Sequence, residues 1–266
     1  MNALLLKMIT KKHIVYIILF GFFIKTFVHA ETCNQILFYN SETNINNYKQ
    51  LKIEFDRYFG KIGKYTFQPF DDKNIFENQL KQKRFCMIIV SSWYFNLLQN
   101  NISINPILIA HRKGVSTQQI ILVKKITHGN GIAGGNVATS MSNVYSNALL
   151  KKILDNNDDY HLNVLRVPKD IDALMAVGFG MSMYALSTVH SFHTLSKINS
   201  PLYNKLSCIG NKVDAPLMIC AVSEQTKNNK LRDALLNINK NPQGKNSIKM
   251  LGIDGFKEWK LTNRTD

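Results

Sequence analysis

Residues 85–90 read FCMIIV, an unbroken apolar run with charged or hydroxyl side chains on either side of it. A strand that is apolar on both faces must be covered on both faces. In proteins that is the position of a strand inside a parallel sheet flanked by helices. The surrounding chain agrees. Gln35–Tyr39 (QILFY) reads as a short strand, and residues 46–60 carry Tyr48, Leu51, Phe55, Tyr58 and Phe59 at helical spacing. Residues 65–70 alternate as a strand does, and residues 72–83 form a short amphipathic helical pattern. With another helix opening at Ser91, the rhythm is βαβαβα, which sets the fold class as α/β with a parallel sheet.

The rhythm then repeats. Strands are predicted over 106–110 and 119–124, and a loop rich in Gly and Asn leads through Val137 to a helix over 140–154. A strand over 162–167, a helix from Pro168 to about Val177, a strand over 181–187 and a helical turn over 192–198 follow. Strands over 206–209 and 216–222, a helix over 228–239 and the closing GIDGFKEW complete the chain. No linker rich in Pro, Gly or Ser separates the halves, so strand crossovers join them. The expected organisation is a leader at 1–30, a first lobe at 31–125, a second at 126–214, and a return to the first at 215–266.

The leader is expected to be removed. Lys7, Lys11 and Lys12 precede an apolar run at 14–24 that is too short to span a bilayer comfortably. Val28-His29-Ala30 then places small residues where a signal peptidase reads, so cleavage is expected after Ala30. The run ahead of Cys33 lacks the pattern of a lipidated cysteine. The expectation is a soluble, monomeric periplasmic protein.

The formal charge is +15, and the leader holds four lysines and no acid, which leaves +11. Strong basicity suits an anionic partner. The lysines are scattered, without the arginine-rich clusters of nucleic-acid binders, so a small anionic ligand is expected and nucleic acid is not. Cys33, Cys86, Cys208 and Cys220 show no C-x-x-C spacing, and sequence leaves three pairings open.

The most suggestive stretch is GGNVATSMSNVYSNALLKK at 134–152, where hydroxyls crowd a helix start. Two readings stand. Ser and Thr cap the free N–H groups of a first helical turn, or those N–H groups and hydroxyls are offered to an anion. Asn40-Ser41-Glu42-Thr43 after the first strand, and Ser91-Ser92-Trp93-Tyr94 after the third, repeat the pattern at equivalent sheet edges. Ligands dock at those edges in open α/β sheets. The candidate ligand-binding residues are Asn40, Ser41, Ser91, Ser92, Trp93, Tyr94, Thr139, Ser140, Met141 and Ser142, with Trp93 and Tyr94 as an apolar wall.

Chemistry beyond binding finds little support. GNGIAG at 129–134 matches G-x-G-x-x-G, but it opens no helix directly and no acid stands at a strand end about twenty residues on. There is no G-x-S-x-G, no H-E-x-x-H and no conspicuous carboxylate pair. His190 and His193 are three apart with no third metal ligand evident. The expectation is no enzyme, no metal and no cofactor.

The order and spacing of several stretches resemble the exported solute-binding proteins of phosphate, phosphite and phosphonate ABC transporters. They are PILIAHRKGVSTQQIILVKK, GGNVATSMSNVYSNALLKKIL, KDIDALMAVGFGMSMYALST, SPLYNKLSCIGNKVDAPLMICAVSE and MLGIDGFKEWK. The resemblance covers roughly residues 35–259. It implies a two-lobe type II periplasmic-binding-protein fold, with mixed sheets flanked by helices and hinge strands between the lobes. It also implies a cleft that captures a phosphorus-containing anion and a membrane permease as partner. Thr139, Ser140 and Met141 occupy the family's Ser-Thr-Ser positions, Met183 stands where an acid is usual, and Phe95 replaces a tyrosine. These departures keep a second expectation open, a membrane sensor or interaction protein on the same scaffold.

Overall fold

The computed structural model describes residues 33–82, 85–127, 134–155, 162–223 and 229–260. The proposed leader and most of GNGIAG lie outside the described residues. FCMIIV supplies β3 (Met87–Val90), every residue of which is buried. It runs parallel to β1 (Gln35–Tyr39), which in turn runs parallel to the edge strand β2 (Thr66–Phe70). On its other side, β10 (Ile219–Ser223) lies antiparallel between β3 and β4 (Ile104–His111), and β11 (Gly255–Glu258) closes that edge.

The helices of this first sheet start where their caps dictate. α1 (Tyr48–Phe59) begins at Asn47, whose Oδ1 accepts from Gln50 N–H at 2.8 Å, and α2 (Lys73–Lys81) begins at Asp72, which accepts from Ile75 N–H at 2.9 Å. The apolar stripe of α1 is buried as its spacing requires, with Phe55 stacked on Phe67 at 4.1 Å between ring centroids. α3 (Ser92–Gln99) follows β3.

The second sheet has the order β7-β6-β8-β5-β9. β6 (Gly135–Thr139) is parallel to both β7 (Leu162–Arg166) and β8 (Tyr184–Thr188), while β5 (Thr117–Lys125) is antiparallel to β8 and to β9 (Leu206–Pro216). α4 (Asn143–Ile153), α5 (Asp170–Gly178), α6 (Val189–Ile198) and α7 (Ser200–Tyr203) surround it. The chain finishes in the first lobe with α8 (Asn229–Leu236), a 3-10 turn at Ile238–Lys240 and α9 (Pro242–Met250), which packs on α1. Tyr58 Oη donates to Ala234 O at 2.7 Å and ties α1 to α8.

The chain passes between the sheets at 112–116 and returns through Leu217-Met218. Leu217 N–H donates to Ser116 O at 2.8 Å, so the two crossing segments lie side by side as a hinge. β5, given to the first lobe by the sequence reading, hydrogen-bonds in the second sheet, because an apolar strand carries no mark of which sheet it will join. β9 runs to Pro216, well past the short strand expected at 206–209. Gly210, at φ +68°, bends it without ending it, and the pairing with β5 shifts register between Ile120 and Leu122. A Cβ on Gly210 would lie 2.5 Å from Ile153 O, so the bend and the packing of α4 require the same glycine.

Candidate ligand-binding cleft

The loop after β1 meets the carboxyl edge of the second sheet. Asp170 N–H donates to Ser41 O at 2.8 Å, and Gln118 Nε2 donates to Glu42 Oε2 at 2.6 Å. Val167 N–H donates to Thr139 O at 3.0 Å, so the ends of β6 and β7 and the start of α5 form one edge. Lys169 Nζ sits 5.6 Å from the centre of the Tyr48 ring, a cation–π contact across the cleft. The lobes are therefore closed on each other.

The expected site residues divide sharply. Asn40 Oδ1 accepts from Glu42 N–H at 2.8 Å and shapes its own turn. Ser92 Oγ donates to Pro216 O at 2.7 Å, tying α3 to the hinge. Tyr94 Oη donates to Glu77 at 2.7 Å and its ring packs against Tyr39 and Phe76, so it belongs to the first lobe's core. Thr139 Oγ1 accepts from Met141 N–H at 3.2 Å, and Ser142 Oγ caps α4 by accepting from Tyr145 N–H at 3.3 Å. Met141 is fully buried in the contiguous apolar cluster that also holds Trp93 and Leu149.

Ser41 Oγ, Ser91 Oγ, Trp93 Nε1 and Ser140 Oγ remain. All are buried, and none has a hydrogen-bond partner. Ser91 is the N-cap residue of α3, yet its side chain makes no cap. An unpaired buried hydroxyl or N–H costs about 1–3 kcal/mol. An indole N–H can only donate, and a hydroxyl carries one donor. These donors, drawn from both lobes, are left without acceptors. Asn44, three residues beyond Ser41, also leaves both side-chain amide atoms buried and unpaired. Sequence reasoning passed over it, and its only signal was an amide in the loop after a strand.

The structure also pairs two carboxyls that are far apart in the chain. Glu42 is buried, and burial, with Asp170 nearby, pushes its carboxyl up to about 8, while Gln118 and Arg112 pull it down. Asp170 is fully buried too. Burial raises it, against hydrogen bonding from the Ser191, Thr188 and Ser187 side. Its Oδ2 accepts from Ser187 Oγ at 3.0 Å, Thr188 N–H at 3.0 Å and Thr188 Oγ1 at 2.8 Å. Burial, with Arg112 next in effect, pushes His190 down to about 4.

Met183 does not stand at the cleft. Because β6 and β8 are parallel, their carboxyl ends point the same way, and Met183 precedes β8 at the opposite end. There its N–H donates to Asn136 O at 3.2 Å, and its thioether closes over Gly135. The cleft end of β8 carries Ser187 and Thr188 instead. Phe95 faces Trp259, with ring centroids 6.5 Å apart, within the first lobe. Cys33 and Cys86 are disulfide-bonded, whereas Cys208 and Cys220 are free thiols. Among the described residues no group of three His, Cys, Asp or Glu could hold a metal ion, and no helix is long and apolar enough to cross a membrane.

No protein-family model matches the sequence, and no curated protein matches it. Solved structures do. PhnD1 from Prochlorococcus marinus, in complex with methylphosphonate, superposes with a TM-score of 0.68 at 11% identity, covering 86% of this chain and 93% of that one. XAC2383 from Xanthomonas citri, bound to ATP, gives 0.67 at 14% identity over 87% and 93%. A histidine kinase sensor domain with similarity to periplasmic binding proteins gives 0.56 at 14% identity over 84% and 98%. The chain has the type II periplasmic-binding-protein fold, with two mixed sheets, flanking helices and hinge strands. The structures it is similar to include phosphonate-binding components of ABC transporters.

Proposed function

We propose that this protein is an exported, monomeric solute-binding protein that captures a small, phosphorus-containing anion in its cleft and delivers it to an inner-membrane ABC permease. The observation that supports this most is the set of buried, unpaired donors at Ser41, Ser91, Trp93 and Ser140, drawn from both lobes. An oxyanion seated among them would satisfy groups that the closed lobes leave unpaired. It would also bind the closed form better than the open one, as capture by hinge closure requires. The basic leader and apolar run support export to the periplasm.

Thermal unfolding of the chain from Glu31 onward, against phosphate, phosphite, methylphosphonate, sulfate and methylsulfonate, tests this reading. A ligand held at a hundredfold excess over its dissociation constant adds about 2.7 kcal/mol of stability. A raised midpoint with a phosphorus oxyanion is expected, and no shift across the panel contradicts the reading. In that case the sensor alternative takes the lead, supported by the fold shared with a kinase sensor domain.

A further inference from the structure

Glu42 and Asp170 come from opposite lobes, one from the loop after β1 and the other from the first turn of α5. The Ser41 O to Asp170 N–H bond holds their backbones together only while the lobes are closed on each other. Both residues are buried, Asp170 completely. Asp170 Oδ2 accepts from Ser187 and Thr188, which favours its charged form, but burial outweighs them and raises its carboxyl, and its Oδ1 is buried without a hydrogen bond. Glu42 receives one donor, from Gln118. The other groups facing Glu42 are Arg112 at the end of β4 and Tyr145 on α4.

A carboxylate taken out of water favours its neutral form, and a second carboxyl beside it adds to that preference. Arg112 offsets this only in part, and burial pushes the Glu42 carboxyl up to about 8. Opening the cleft would return Glu42 to water, where a glutamate carboxyl has its ordinary value of 4.5. We propose that lobe closure takes up a proton onto Glu42, so that the cleft closes and captures at low pH and opens as pH rises. The consequence for capture rests on the solute-binding reading, whereas the linkage between proton and closure does not.

The sign follows from linkage. The closed form binds more protons than the open form between about pH 4.5 and pH 8. Closure is therefore most favoured at the acid end of that window and weakens steadily as pH rises through it.

Small-angle X-ray scattering of the ligand-free chain from Glu31 onward, between pH 5 and pH 9, reads the closure directly. The expected result is a compact form at pH 5 that expands toward pH 9. Glu42→Gln, which carries no titrating group there, is expected to stay compact throughout. Gln118→Leu removes the donor that favours the charged carboxylate and shifts the transition to higher pH. Circular dichroism reports whether each variant is folded, and the wild-type curve stands even where one is not. A wild-type radius of gyration that does not change with pH overturns the proposal, and so does a Glu42→Gln curve matching the wild type. Because no ligand is present, either outcome is independent of whether the oxyanion panel binds.

Discussion

The starts of α3 and α4 share a local sequence logic and use it differently. At the start of α4, Ser142 caps the helix and Thr139 braces the turn before it, so these hydroxyls are consumed by the fold. At the start of α3, Ser91 sits in the N-cap position without capping, and its neighbour Trp93 buries an indole N–H that meets nothing. Ser140 behaves like Ser91, although it lies two residues from Ser142. Chain position relative to a helix therefore does not by itself decide what a hydroxyl does.

The largest break in this comparison should come from Asp170→Ala. It strands the Ser187 and Thr188 donors in a buried setting and should destabilise the protein by about 3 kcal/mol in chemical denaturation. Ser142→Ala removes a working cap and should cost about 1 kcal/mol, with no change in ligand affinity. Lys169→Ala removes the contact over Tyr48 and should weaken closure by about 0.5–1 kcal/mol, read as a small gain in the open population by scattering. Ser91→Ala removes a buried, unpaired hydroxyl and no cap, so the ligand-free protein should be no less stable than wild type in chemical denaturation.

Much of the scaffold was legible because periodicity and burial agree. Gln35–Tyr39 falls where its apolar run puts a strand, and the helices at Tyr48–Phe59 and Lys73–Lys81 fall where helical spacing puts them. α9 was not foreseen, since it buries Gly244, Ser247 and Ile248 and shows no apolar stripe. The strand expected over 206–209 continues through a bend at Gly210 to Pro216. In the loop before α4, sequence could not tell Ser142, which caps the helix, from Ser140, whose hydroxyl is buried and unpaired. The Glu42–Asp170 pair escaped as well. Its members are local to nothing in sequence and meet only when the lobes close.

The most direct test is calorimetric titration of the phosphorus oxyanion that gives the largest thermal shift into wild type, Ser91→Ala, Ser140→Ala and Ser142→Ala. The account predicts that affinity falls about tenfold in each of Ser91→Ala and Ser140→Ala, as loss of a charge-assisted hydrogen bond implies, and stays unchanged in Ser142→Ala. Equal affinities in all four proteins would contradict it, and so would a loss confined to Ser142→Ala.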